Sequence, residues 1–88
     1  MSITAHDTDS ISLAIKTLVE CIEGEVDRET LQTLIGIKHR TYFQNTYIKP
    51  ALDEGYIEFT LPNEKQSKLQ KYRLTAKGLA LQHSLKNN

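Results

Sequence analysis

Six polar and basic side chains lie close together in the segment KHRTYFQN, residues 38–45. They are Lys38, His39, Arg40, Thr41, Gln44 and Asn45. Asparagine and glutamine amides can pair with the edge of adenine in a major groove, and arginine can bind guanine or a phosphate group. The segment would therefore suit contact with duplex DNA if it formed the exposed start of a helix. An ordinary solvated surface uses the same residue types, so that interpretation stays open.

A second basic group lies further along the chain, in the segment KQSKLQKYR. Its members are Lys65, Lys68, Lys71 and Arg73. Contacts of such residues with phosphates fix the position of a protein on DNA without reading its sequence. Basic residues on a hairpin also protect sheet edges and keep a protein in solution. We give these two interpretations equal weight for this group.

Charge is distributed unevenly along a chain whose formal net charge is zero. Residues 1–36 contain two Lys or Arg against seven acids, and residues 37–88 contain nine against four, which gives −5 followed by +5. A basic second half is typical of a face that meets a polyanion. Overall neutrality argues in the other direction, because strong duplex binders usually have a marked positive excess.

Three helices are expected to position residues 38–45. Apolar residues recur at helical spacing in residues 11–22 and predict the first helix. A short second helix is predicted after Asp27, whose carboxylate would accept a hydrogen bond from the Thr30 amide, with Gly36 as its left-handed stop. The apolar stripe of this second helix would consist of Leu31, Leu34 and Ile35.

The third helix is predicted to begin near His39 and to bury Phe43 and Tyr47, which are four residues apart. Pro50 has no amide hydrogen, and its ring would meet the carbonyl of Thr46. The helix should therefore leave straight α-helical geometry just before the proline.

Two segments of alternating apolar and polar residues follow, at 56–61 and 69–75, and predict an antiparallel hairpin. The residues between them, PNEKQSK, are typical of a loop. Thr75 is then expected to cap a final helix, in which Gly78 slightly lowers helix propensity. The residues of this helix expected to pack against the core are Leu79 and Leu81.

This order of elements is that of a winged helix-turn-helix. The fold belongs to the α+β class and has a three-helix core, a two-stranded β-hairpin wing and a C-terminal helix. Its second helix braces the third, whose start enters a major groove, while the wing reaches neighbouring phosphates. We expect one such domain at residues 8–83, a disordered tail at 1–7 and a frayed C-terminus at 84–88.

Other kinds of site find no support in the sequence. Cys21 is the single cysteine, so it can form no internal disulfide, and no His has a Cys or carboxylate at ligand spacing. A glycine-rich phosphate loop and a nucleophile elbow are both absent. We therefore expect no metal, no cofactor, no small-molecule ligand and no catalysis by this chain.

Since the sequence has neither a secretory signal nor an apolar run long enough for a membrane span, we expect a cytoplasmic protein without a membrane partner.

Several longer motifs are more specific than the general pattern. They are LIGIKHR at 34–40, Phe43, YIxPALxxGYIE at 47–58, LP at 61–62 and SKLQKYRLTAKG at 67–78. In these motifs the chain resembles the winged-helix domain at the C-terminus of bacterial Fic proteins (filamentation induced by cyclic AMP). A similar domain ends some helicase-related transcriptional regulators.

The resemblance implies a targeting or regulatory module of a larger bacterial protein. Fic proteins transfer AMP to hydroxyl side chains with a His-containing loop and a Gly-Asn-Gly-Arg anion hole, and this chain contains no counterpart of either. Binding of double-stranded DNA is the leading expectation for the module. The alternative is a protein-interaction module that recruits a substrate, forms a homodimer or packs on a catalytic domain of the same protein.

Overall fold

The fold was examined in a computed structural model that describes residues 11–87. Its helices and strands follow in the order α1 (Leu13–Cys21), α2 (Arg28–Ile35), α3 (Arg40–Phe43), a π-helical segment (Gln44–Ile48), α4 (Lys49–Asp53), β1 (Ile57–Phe59), β2 (Tyr72–Leu74) and α5 (Ala76–Lys86). The segments from Arg40 to Asp53 are continuous, and together we call them helix three. The α+β class and the winged helix-turn-helix arrangement are confirmed. The predicted tail at residues 1–7 lies outside the described residues.

Helix α1 begins at Ser12, whose hydroxyl accepts a hydrogen bond from the Ile15 amide at 3.2 Å. Its buried face packs on α5, and a side chain of α5 completes its C-terminal end. The Gln82 amide nitrogen donates to the carbonyls of Val19 and Ile22, at 3.0 and 2.9 Å. Because the last carbonyls of a helix have no partner within the helix, this buried glutamine supplies one from a distant element.

Helix α2 has the predicted limits but differs from expectation in two details. Asp27 is the residue before the helix, yet its side chain makes no capping hydrogen bond, so the predicted bond from Thr30 is wrong. Leu34 was expected in the core but is 61% exposed, because the short helix buries only Leu31 fully. Gly36 ends the helix with a φ of +87°, the left-handed conformation that its position predicts.

Helix three changes geometry just before the proline, as predicted. The Lys49 amide donates to the carbonyl of Gln44, five residues earlier, which is the π-helical spacing. Since Pro50 has no amide to offer the preceding turn, a wider turn of backbone accommodates its ring. The extra residue also rotates the buried face, so that Phe43 is followed in the core by Ile48 and Ala51, while Tyr47 is only half-buried.

The wing is an antiparallel pair in which Ile57, Glu58 and Phe59 face Leu74, Arg73 and Tyr72. A third segment adds to this sheet, because Val26 and Tyr72 exchange two backbone hydrogen bonds of 2.8 and 2.9 Å. The sequence did not predict this bridge. It ties the turn between α1 and α2 to the wing, so the N-terminal end of α2 lies beside β2.

The start of α5 packs closely against Tyr56, the residue before β1. Thr75 caps the helix as predicted, accepting a hydrogen bond from the Gly78 amide at 3.1 Å. Gly78 is buried, and a side chain at this position would collide with the carbonyl oxygen of Tyr56. This glycine is therefore a packing requirement and not a mere loss of helix propensity. Leu81 is buried as expected, whereas Leu79 is 51% exposed and does not belong to the core.

Candidate nucleic-acid interface

An open groove of about 730 Å³ runs between helix three and the wing. We call it the groove throughout. Its polar lining comes from α2, helix three and the loop between β1 and β2, and its floor is apolar. The floor residues are Ile48, Leu52, Phe59 and Tyr72. The charged residues that line it are Asp27, Arg28, Glu29, Arg40, Lys49, Lys65 and Lys68.

The fold brings five of the ten predicted contact residues into the groove. These are Arg40, Gln44, Asn45, Lys65 and Lys68. They come from two segments separated by twenty residues of sequence, and the antiparallel wing brings them to one side of the molecule. The juxtaposition of helix three and the wing loop is therefore a property of the tertiary structure.

The other five predicted residues line no part of the groove. Lys38, His39 and Thr41 are exposed around the start of helix three. Lys71 lies beside a separate shallow depression formed with Glu25, Thr60, Leu61 and Leu69. The Arg73 Nε atom lies 2.7 Å from a carboxylate oxygen of Glu58, and a second nitrogen of this arginine lies 4.0 Å from Glu25. Arg73 is thus already paired with two carboxylates.

Sequence reasoning missed two basic residues of the groove, Arg28 and Lys49. Lys49 could have been found, because it follows Asn45 by four residues and so continues the same exposed side of helix three. Arg28 could not have been found from local pattern. It is the first residue of α2, and it reaches the groove only because the Val26 bridge holds that end of α2 against β2.

The shape of the wing loop depends on one buried side chain, Gln70. Its amide oxygen accepts a hydrogen bond from the Leu61 amide at 2.9 Å. Its amide nitrogen donates to the carbonyls of Leu61 and Glu64, at 2.7 and 3.1 Å. These three bonds cross-link the two ends of the loop that bears Lys65 and Lys68. The Nζ atom of Lys65 also lies 5.6 Å from the centre of the Phe59 ring, within reach of a cation–π interaction.

The basic side chains of the groove are free of ion pairs within the described part of the chain. Among residues 11–87, the ion pairs within 4.0 Å are those that Arg73 makes with Glu58 and Glu25. Arg28 donates to the side-chain oxygen of the neutral Gln32 at 2.5 Å. The groove therefore presents five cations whose charge is not neutralised by direct contact with a carboxylate.

Tyr72 lines the groove, as do two of these cations, Arg28 and Arg40. Burial raises the pKa of its phenol, and the positive charges of Arg28 and Arg40 partly offset that rise. The phenol therefore remains protonated at neutral pH and can donate a hydrogen bond. Cys21, on the opposite part of the fold, also has a raised pKa, caused by burial and then by the charge of Glu20, so its thiol is a weak nucleophile.

Within residues 11–87, no group of three or more His, Cys, Asp or Glu side chains is arranged to hold a metal ion. The helices of this same region are all too short or too polar to cross a membrane. The features that remain are a basic groove, a helix with an exposed polar start and a wing.

These features define a winged-helix domain. The chain belongs to the family described as "Filamentation induced by cAMP protein Fic-like, C-terminal domain", whose model matches residues 14–75. This family is the C-terminal part of Fic-like proteins and is not their catalytic domain.

A solved structure supports the same assignment. The chain is similar to a Fic family protein from Desulfovibrio desulfuricans G20, with 36% sequence identity and a TM-score of 0.73. The match covers 84% of this chain but only 23% of the other protein. No curated protein matches the sequence.

Proposed function

We propose that this chain is a DNA-binding module that serves a larger Fic-like bacterial protein as a targeting or regulatory domain. The observation that carries the proposal is the groove. Five cations without an ion pair among residues 11–87 line it together with Gln44 and Asn45, and they come from helix three, α2 and the wing of a chain whose net charge is zero.

The charge balance within the groove favours a polyanionic ligand. Its lining contains five Lys or Arg against the two acids Asp27 and Glu29. Because the chain has no net charge, a local positive excess requires that acids lie elsewhere. Glu25 and Glu58, the partners of Arg73, are two acids outside the groove. A local positive field attracts DNA even when the whole domain is neutral.

Helix three supplies the side chains suited to reading bases. Thr41 and Asn45 are exposed, and Gln44 is half-buried at the rim of the groove. Asn and Gln can each form two hydrogen bonds to adenine in a major groove, while Lys65 and Lys68 would contact phosphates from the wing. A module that binds chromosomal DNA works in the bacterial cytoplasm, and that location is part of the proposal.

A protein-interaction role is the second candidate, favoured by large apolar side chains on the surface. Leu34 on α2 is 61% exposed and Tyr42 on α3 is 53% exposed, and neither lines the groove. Such residues suit contact with another domain of a longer protein, a substrate protein or a second copy of this chain. Leu34→Ser and Tyr42→Ser should then abolish association and leave the groove unchanged.

The DNA proposal is tested by measuring affinity for a random duplex across a range of salt concentrations. We expect Lys65→Gln with Lys68→Gln to weaken binding to every sequence alike and to lower the salt slope by about 1.8, at about 0.9 for each phosphate contact. The matched control is Lys16→Gln with Lys86→Gln, which removes the same charge from lysines that are outside the groove and are not predicted contacts.

The two pairs of variants separate a specific surface from a general effect of net charge. Equal losses in both pairs would show that charge alone governs binding and would contradict the assignment of the groove. Absence of salt-dependent duplex binding by the wild-type protein at low ionic strength would overturn the DNA proposal. In that case the Leu34 and Tyr42 variants would be compared for loss of self-association or of a protein partner.

A further inference from the structure

Three side chains from three different elements line the groove and act on one another. Arg28 comes from α2, Arg40 from the start of helix three, and Tyr72 from β2. Burial raises the pKa of the Tyr72 phenol, and the positive charges of both arginines act in the opposite direction. The Arg28 guanidinium is oriented by its hydrogen bond to Gln32.

Tyr72 has an unusual hydrogen-bonding state for so buried a residue. It is only 6% exposed, and among residues 11–87 none of the side-chain hydrogen bonds involves its hydroxyl. Every fully enclosed side-chain nitrogen or oxygen in that same region does have a partner. The hydroxyl is therefore open to the groove, and a buried donor with an open side normally has a ligand or water as its partner.

The chemistry of the three groups is complementary to one anion with several oxygens. Guanidinium groups donate in a planar fork that matches phosphate oxygens, and charge-assisted bonds of this kind are stronger than neutral ones. The neutral phenol adds one further donor. Asp27 and Glu29 also line the groove and weaken its attraction for any anion, so the favourable contribution comes from the two guanidinium groups.

We propose that Arg28, Arg40 and Tyr72 form a binding site for a single phosphate group. This part of the inference rests on the proposed function. If that function holds, the ligand is one phosphodiester of the DNA backbone. The same chemistry would accept the phosphate of a small phosphorylated molecule. Arg40 and Arg28 then bind the same phosphate and fix the position of the protein on DNA. Discrimination between base pairs is left to Gln44 and Asn45.

If both arginines bind one phosphate, the effects of removing each of them on the salt slope should not be additive. After removal of one arginine the other still neutralises the phosphate, so Arg28→Gln or Arg40→Gln alone should change the salt slope by far less than half of about 0.9. The double variant should lower it by about 0.9, the value for one phosphate, and not by about 1.8. Arg73→Gln is the matched control, since that arginine lies outside the groove.

The phenol is tested separately, because its loss changes no charge. Tyr72→Phe keeps the buried ring and should weaken duplex binding roughly 10- to 100-fold, as loss of one hydrogen bond to a charged group does, with an unchanged salt slope. A thermal melt of the same variant checks that the fold survives. An unchanged affinity in a folded Tyr72→Phe protein would remove the phenol from the site and overturn the three-residue assignment.

The two possible sources of phosphate are separated by titrating the intact chain with inorganic phosphate and following the NMR signals of the two guanidinium groups and of Tyr72. The expected result is a shift of all three signals in the wild-type protein and no shift of the Tyr72 signal in the Arg28→Gln, Arg40→Gln double variant. If these shifts occur without duplex binding, the site stands and its ligand is a small phosphorylated molecule, while the proposed DNA function fails. If duplex binds but the double variant lowers the slope by about 1.8, or not at all, the shared site is overturned while DNA binding stands. Absence of both responses overturns both.

Discussion

Replacement of Gly78 by alanine sets two effects of known size against each other. In an ordinary helix interior this change gains about 0.8–1.0 kcal/mol, because alanine has the higher helix propensity. Here the new methyl group would collide with the carbonyl oxygen of Tyr56 and lie 3.1 Å from a methyl carbon of Leu74. The carbonyl belongs to the backbone, so it cannot move aside as a flexible side chain would.

The collision also threatens a hydrogen bond. The Tyr56 carbonyl accepts from the Thr75 amide at 3.1 Å, which joins the beginning of α5 to the start of the wing. Overpacking costs about 1–3 kcal/mol and loss of this bond about 0.5–1.5 kcal/mol. After subtraction of the gain in propensity, we expect Gly78→Ala to lower the free energy of unfolding by about 1–3 kcal/mol.

Thermal unfolding followed by circular dichroism measures this difference. For a domain of this length each kcal/mol shifts Tm by roughly 4–8 °C, so a fall of roughly 5–20 °C is expected. Ala80→Gly, at an exposed position of the same helix, is the control for propensity and should cost only about 1 kcal/mol. A Tm for Gly78→Ala equal to or above that of the wild type would refute the close approach of α5 to Tyr56.

Two further predictions concern the core and the reading of bases. Phe43 is fully buried and stacks on Tyr47 with ring centres 5.3 Å apart, so Phe43→Ala should lower the free energy of unfolding by roughly 3–5 kcal/mol. If a denaturant titration showed a loss of less than about 1 kcal/mol in the free energy of unfolding, the buried face of helix three would be assigned wrongly. Gln44→Ala or Asn45→Ala should relax discrimination at particular base pairs, by on the order of 1–3 kcal/mol for each bidentate contact. Binding to a library of duplexes tests this, and a uniform loss across all sequences would assign these side chains to the backbone of DNA.

The secondary structure followed from local signals, because each depends on residues a few positions apart. The left-handed turn at Gly36, the cap at Thr75 and the change of helix geometry before Pro50 are of this kind. The same holds for the alternation that sets Tyr72 inward and Arg73 outward on β2. The order of these elements was enough to predict the winged-helix fold.

The composition of the groove needed the tertiary structure, because it depends on contacts between residues far apart in sequence. Alternation along β2 assigns a side to each residue, but it does not say that the loop carrying Lys65 and Lys68 turns toward helix three while Lys71 and Arg73 stay outside. Hydrogen bonds of Gln70 across nine residues hold that loop in shape.

The same distinction explains the residues that sequence reasoning misjudged. Local sequence predicts only a slight loss of helix propensity at Gly78, because the role of this glycine depends on Tyr56, twenty-two residues earlier. Arg28 was missed because it reaches the groove through the bridge between Val26 and Tyr72, which joins segments nearly fifty residues apart. The sequence by itself therefore determined the elements, their order and the family. Only the packing of distant segments decided which charges share one surface, because a local pattern does not show which distant segment packs against it.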